Sequence, residues 1–221
     1  MKTMILAAGR GERLKPLTDT TPKPMLQVGG KPLIAHQLGW LAAAGLTEVV
    51  INLHHLGEQI ERFCASGQAF GTNIRYSHET DLLETGGGVV NALPLLGEGW
   101  FVVLNGDIYT DFPFASLPHS PPDWADIHLL LTPTPEFRDH GDFDYADGRV
   151  TARGEGFVYC GIAMLRAGLF KGLAVEPFSL QQTFFRAVQD RAASAQIWDG
   201  YWTDIGSPSQ LQAVNERLQN L

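Results

Sequence analysis

Residues 6–25 read LAAGRGERLKPLTDTTPKPM and gather the groups that hold an anion. Gly9 and Gly11 follow directly on an apolar run, and glycine lets backbone N–H groups approach a phosphate without a side chain in the way. Arg13 offers a planar fork to phosphate oxygens and Lys23 a point charge. Pro22 and Pro24 stiffen the backbone on either side of Lys23. Arg10, Arg13, Lys15, Lys23 and Lys31 are five of the sixteen Lys and Arg residues. Their window, residues 10–31, holds two acids, Glu12 and Asp19, in a chain whose net charge is −8. A basic loop in an acidic protein points to a small, highly charged ligand and away from nucleic acid, which needs a broad positive surface. The plainer alternative is a solvated surface loop.

The loop must be placed by the elements around it. KTMILAA (2–8), TEVVINL (47–53), NIRYSHE (73–79) and WFVVLNGD (100–107) read as strands. PLIAHQLGWLAAAG (32–45), LGEQIERFCAS (56–66) and TGGGVVNALPLL (85–96) read as the helices between them. This alternation predicts an α/β fold, a mostly parallel sheet with helices on both faces. Ligands then bind beyond the carboxyl ends of the strands. Gly9–Arg13, Glu79–Gly88 and Asn105–Asp107 all fall at such ends. The second half is less regular: strands at 127–133 and 157–165, a polar stretch at 136–149 with an Asp147-Gly148 hairpin signal, and helices at 179–191 and 207–221, the last capped at Ser207 or Ser209. That polar stretch is expected to form a small subregion over the sheet edge for a second substrate.

With 221 residues, 44% hydrophobic and 18% charged, the chain has the composition of an ordinary globule. Cys64 and Cys160 form no C-x-x-C pair, so neither zinc nor a disulfide framework is indicated, and a reducing cytoplasm fits. No leader and no long apolar run occurs, so neither secretion nor a membrane partner is expected. A P-loop would need G-x-x-x-x-G-K-[ST], which is absent. A dinucleotide fingerprint would need glycine where Leu14 stands. A third reading of Gly-x-Gly after a strand is a longer loop whose glycine amides, Arg13 and Lys23 wrap a triphosphate. Asp107 and Asp204 each follow an apolar stretch beside a glycine; on residue type alone either is also an ordinary turn acid or cap. Asp111 is a weaker substitute for Asp107. His54 and His55, neighbours on a strand, point to opposite faces and make a poor metal pair.

LAAGRGERLKPLT followed by PKP resembles the signature of sugar-1-phosphate nucleotidyltransferases, with Ala8 where many members have glycine and Glu12 where they have Ser or Thr. The resemblance continues through LLETGGGV (82–89), VLNGDI (103–108) and WTDIGSP (202–208), and so spans the chain. It implies a Rossmann-like sheet in one domain, residues 1–112 binding nucleotide and 113–221 binding sugar. It implies transfer of a nucleotidyl group from an NTP to a sugar 1-phosphate, releasing pyrophosphate. Leu6, Ala8, Gly9, Gly11, Arg13, Lys23, Gly86, Gly87 and Asn105 are then the nucleotide-binding residues. Arg13, Lys23 and Asp107 are the catalytic ones, and Asp107 with Asp204 holds Mg²⁺. Gly86 and Gly87 are expected to open a loop whose main chain reaches the base.

Many members also carry an E-K-P segment whose lysine meets the sugar phosphate, and this chain has none. Glu79, Glu84, Asp142, Glu155 and Gly161 are the candidate sugar contacts. The short chain, its ETGGG loop, NGD in place of LGD and the GDF turn resemble the members that join UTP to N-acetylmuramic acid 1-phosphate. Glucose or mannose 1-phosphate with dTTP or GTP is the alternative substrate pair. Other classes are a nicotinamide oxidoreductase, disfavoured by Leu14, and a non-catalytic nucleotide-sugar binder. A monomer or weak homodimer is expected.

Overall fold

The computed structural model describes residues 1–135 and 138–220; the start of the expected polar stretch (136–137) and the end of the expected terminal helix (221) lie outside them. In chain order the elements are β1 (Lys2–Leu6), β2 (Gln27–Val28), β3 (Lys31–Pro32), α1 (Leu33–Ala43), β4 (Glu48–Leu53), α2 (Gly57–Cys64), β5 (Asn73–His78), α3 (Glu84–Leu96), β6 (Trp100–Asn105) and β7 (Ile108–Thr110). The second half adds β8 (Ile127–Pro133), β9 (Phe143–Ala146), β10 (Arg149–Arg153), β11 (Phe157–Arg166), α4 (Leu180–Gln189), β12 (Ala193–Ile197), β13 (Trp202–Asp204) and α5 (Pro208–Gln219).

Nine strands form one sheet in the order β5-β4-β1-β6-β11-β8-β12-β10-β9. The first four run parallel, as the strand–helix alternation predicts. Their near-continuous apolar runs follow from burial on both faces. Successive residues serve opposite sides: Ile5 and Leu104 pack with Ile34 and Leu38 on one face, Met4 and Val103 with Val89 and Phe170 on the other. Register aligns Leu6 with Asn52 and with Asn105, so the loops leaving β1, β4 and β6 emerge side by side.

Beyond β6 the sheet is mixed: β11 runs antiparallel to both β6 and β8, and β12 parallel to β8. The β9–β10 hairpin turns at Asp147 (φ 48°) and Gly148 (φ 80°), the left-handed pair a tight primed turn requires. A separate ladder, β7–β13, sets Asp204 opposite Ile108, and the Ile205 amide donates to the Asp107 carbonyl at 2.8 Å. Ser207 caps α5 by accepting from the Gln210 amide. Cys64 and Cys160 are free and buried, and burial pushes the Cys64 thiol up to about 12. Among the described residues no helix is long and apolar enough to cross a membrane.

Candidate active site

A cleft of about 480 Å³ opens at the carboxyl ends of β1, β4 and β6. Leu6, Ala8, Gly9, Gly11, Arg13, Lys23, Glu84, Asn105 and Asp107 are among its lining residues, so Glu84, expected at the sugar, lies in this cleft. Gly11 sits at φ 64°, and a Cβ there would meet Thr18 Cγ2 at 2.8 Å; Gly9 faces open space. The Thr18 hydroxyl ties the turn by donating to the Gly11 carbonyl at 2.9 Å. Glu12, the acid unusual for this loop, is exposed and pairs with Lys15 at 2.7 Å, which holds its carboxyl below the ordinary range. Arg13 lies under the segment that precedes α5: a Cβ on Gly206 would stand 2.9 Å from its guanidinium.

Both expected metal acids already draw a cation. Lys23 Nζ donates to Asp107 Oδ2 at 2.5 Å. Arg138 Nη2 donates to Asp204 Oδ2 at 3.0 Å, and Gln210 Nε2 donates to Asp204 Oδ1 at 2.7 Å. The β7–β13 ladder brings the two backbones together from positions 97 apart in the chain. Asp107 lines the cleft, and Asp204 stands beside it across the β7–β13 ladder with both oxygens engaged; two hard-oxygen carboxylates of this kind suit a divalent cation that takes its remaining oxygens from phosphate and water. Among the described residues there is no group of three or more His, Cys, Asp or Glu that could hold a metal, so protein side chains alone would not cage one. His54 and His55 face separate backbone carbonyls, Glu79 at 3.1 Å and Thr18 at 3.0 Å. Asp111 lies against Gly200 and outside the cleft.

Gly86 and Gly87 depart from the expectation of an open loop. Both are buried in the first turn of α3. A Cβ on Gly86 would strike the Phe178 ring at 2.2 Å, and one on Gly87 would strike the Glu176 carbonyl oxygen at 2.2 Å. The Gly86 amide donates to the Phe178 carbonyl at 2.8 Å. These glycines admit segment 176–178, so the groups facing the cleft here are Leu82, Glu84 and Thr85. Glu79 departs too. It is 6% exposed, with Oε1 accepting from Asn52 Nδ2 (2.7 Å) and Oε2 from the Leu83 amide (3.1 Å). Asn52 Oδ1 in turn accepts from the Ala7 amide at 2.7 Å. Through Asn52, Glu79 ties the end of β1, where the glycine loop begins, to the residue before α3.

A second cavity, about 240 Å³, adjoins the first and shares Thr85, Asn105 and Ser179 with it. Asp142 lines it, its Oδ2 accepting from the Tyr159 amide at 2.9 Å. Glu155 does not: its exposed carboxylate pairs with His140 at 2.8 Å and raises the pKa of that imidazole. Nor does Gly161, which sits at φ 73° in a register shift of β11, where a Cβ would meet Ile108 at 2.6 Å and Asn105 Nδ2 at 3.0 Å. Ser179 and Gln210 are site residues that no sequence signal picked out; Gly206 stands inside the WTDIGSP stretch and Arg138 opens RDHGDFDY (138–145), but neither is singled out there as a site residue.

A model of the family described as nucleotidyl transferase matches residues 2–136. The N-acetylmuramate alpha-1-phosphate uridylyltransferase of Neisseria meningitidis is 42% identical over 96% of this chain and 96% of its own. The protein of the same name from Caulobacter vibrioides is 34% identical over 97% of this chain and 96% of its own. A crystal structure of HddC from Yersinia pseudotuberculosis complexed with GMP-PN superposes with a TM-score of 0.83, 24% identity and 98% of each chain covered, a likeness of fold.

Proposed function

The chain belongs to the nucleotidyl transferase family, and on that premise we propose that it transfers the uridylyl group of UTP to N-acetylmuramic acid α-1-phosphate. The observation that carries this reading is the near full-length likeness to two uridylyltransferases, joined to a cleft where the glycine loop, Arg13 and Lys23 converge.

The amides of residues 9–11 and the Arg13 guanidinium bind the β- and γ-phosphates, where preorganised donors stabilise charge that builds on the leaving group. Lys23 neutralises the α-phosphate. The sugar phosphate, already ionised at pH 7, attacks the α-phosphorus in line; the new P–O bond forms as the α–β P–O bond breaks, and pyrophosphate departs. No general base is required, which accords with a site built from positioning and charge. Leu6 and Ala8 pack beneath the nucleotide, Glu84, Thr85 and Asn105 flank it, and Asp142 faces the sugar. Asp107 and Asp204 would hold Mg²⁺, which supplies charge neutralisation along the phosphates when bound. Residues 1–112 form the nucleotide half and 113–221 the sugar half. The chain works in the cytoplasm as a monomer or weak dimer.

The test is a matrix of UTP, dTTP, GTP, ATP and CTP against N-acetylmuramic acid, glucose and mannose 1-phosphates, scored by pyrophosphate release. UTP with the muramic substrate is expected to exceed GTP with mannose 1-phosphate by at least about tenfold in kcat/KM, a difference of about 1.4 kcal/mol. Equal or reversed activity refutes the substrate assignment. Size-exclusion chromatography tests the oligomeric state.

A further inference from the structure

We propose that Arg138 is the residue that receives the phosphate of the sugar 1-phosphate, the role for which this sequence has no E-K-P lysine. The inference rests on the reading that the second substrate is a phosphate monoester. Such a nucleophile carries close to two negative charges and must approach a triphosphate, so it needs a cation on its own side of the cleft.

Arg13 and Lys23 line the other cavity, on the nucleotide side. Arg138 is the cation among the described residues that line the adjoining cavity. Other arginines of the second half are placed elsewhere: Arg149 over Trp124, Arg153 over Phe185, Arg217 over Tyr201, none of them lining either cavity.

Arg138 is also poised to bind. One nitrogen, Nη2, is anchored on Asp204 Oδ2, and Gln210 fixes the other oxygen of that carboxylate. The guanidinium rests 5.6 Å from the centre of the Trp202 ring. A guanidinium has five N–H donors in a rigid fork; among the described residues one of them is used, on Asp204, and phosphate oxygens are matched acceptors for such a fork. The side chain is 31% exposed, enough for an incoming anion to reach. Tyr159 lines the same cavity, and its hydroxyl is buried with no hydrogen-bond partner among the described residues. A buried hydroxyl without a partner is costly, so the wall beside Arg138 holds a polar group that the described residues leave unmet.

The experiment uses the full chain with steady-state kinetics for both substrates and UTP binding by calorimetry. Arg138→Ala is expected to raise KM for the sugar 1-phosphate and lower its kcat/KM by roughly 10²-fold. The Kd for UTP should stay within about twofold, since UTP belongs to the other cavity. Arg138→Lys should recover part of the loss, because charge is restored but the fork is not, and added guanidinium should partly rescue the alanine variant. An unchanged sugar-phosphate KM overturns the proposal. So does a loss that appears equally in the UTP Kd, which would mean that Arg138 serves only to orient Asp204. If Arg138→Ala does not fold, the lysine variant and Arg138→Gln carry the same two readouts. Wild-type turnover of glucose or mannose 1-phosphate in place of the muramic substrate refutes the substrate assignment alone; the Arg138 series then runs on the accepted sugar phosphate, since the fork recognises phosphate and not the sugar. Wild-type protein that releases pyrophosphate with none of them refutes both.

Discussion

Replacing Glu79 by glutamine distinguishes a carboxylate that holds the site together from one that touches substrate. The two have opposite signatures. Each Glu79 oxygen accepts one buried hydrogen bond, from Asn52 Nδ2 at 2.7 Å and the Leu83 amide at 3.1 Å. Glutamine keeps one acceptor and turns an NH₂ toward the other donor. A hydrogen bond to a charged group contributes about 1.5–3 kcal/mol, and a buried donor left unmet costs about 1–3 kcal/mol. Against this, a neutral amide is cheaper to bury than a carboxylate. The net expectation is a loss of about 1–3 kcal/mol, a sizeable part of a typical 5–15 kcal/mol. With a urea m-value of about 3 kcal/mol/M, near the top of the usual range, the midpoint should fall by about 0.3–1 M. The assay is urea unfolding of wild type, Glu79→Gln, Asn52→Ala and the double variant, with KM for UTP measured beside it. Because both single variants disturb the one Asn52–Glu79 hydrogen bond, their losses should overlap, and the double variant should lose less than their sum. An unchanged midpoint with a raised KM, or strictly additive losses, would refute the buried chain Ala7–Asn52–Glu79–Leu83 and return Glu79 to the ligand.

Arg13→Ala and Lys23→Ala should each lower kcat/KM by roughly 10²-fold while the urea midpoint holds, and Lys23→Arg should not rescue fully; normal turnover in both alanine variants would sink the triphosphate reading. Excess EDTA should abolish pyrophosphate release and Mg²⁺ restore it, with Asp107→Asn and Asp204→Asn each slowed roughly 10²-fold and the double variant less than the product of the singles; full activity in EDTA would remove the metal from the account. His128, buried with its ring nitrogens at Ser194 Oγ (2.9 Å) and Gln196 Oε1 (3.1 Å), has its pKa lowered from the ordinary 6.5, chiefly by burial. The unfolded chain then binds more protons there than the folded one, so this contribution is complete above the unfolded pKa and is lost as pH falls through the folded value. The stability of wild type relative to His128→Gln should therefore be greater at pH 7.5 than at pH 5; a pH-independent difference in urea midpoints would contradict the lowered pKa.

What was legible in the sequence was what lies close together in it. Gly9, Gly11, Arg13 and Lys23 fall within 15 positions, so their chemistry shows without the fold. Asp107 shows because a strand end beside glycine is a place where ligands collect. The parallel half of the sheet shows because four apolar strands alternate with helices. Strands β7, β12 and β13 do not show: ASAQI and WTD are short, and their ladders are with β8 and β7, residues far away in sequence. The buried bonds of Glu79 were not legible because a carboxylate at a strand end looks alike whether it meets substrate or a buried amide, and its partner Asn52 is 27 positions away. Gly86 and Gly87 repeat the lesson. A missing side chain lets any backbone approach, a ligand or another stretch of the same chain, and only the placement of residues 176–178 tells which. Arg138 is the extreme case. It stands in coil, its carboxylate partner is 66 positions on, and its fork faces a cavity whose walls come from both halves of the chain. A cation placed like this has no local pattern that fixes its role, because the folded sheet, not the neighbouring residues, determines what it faces.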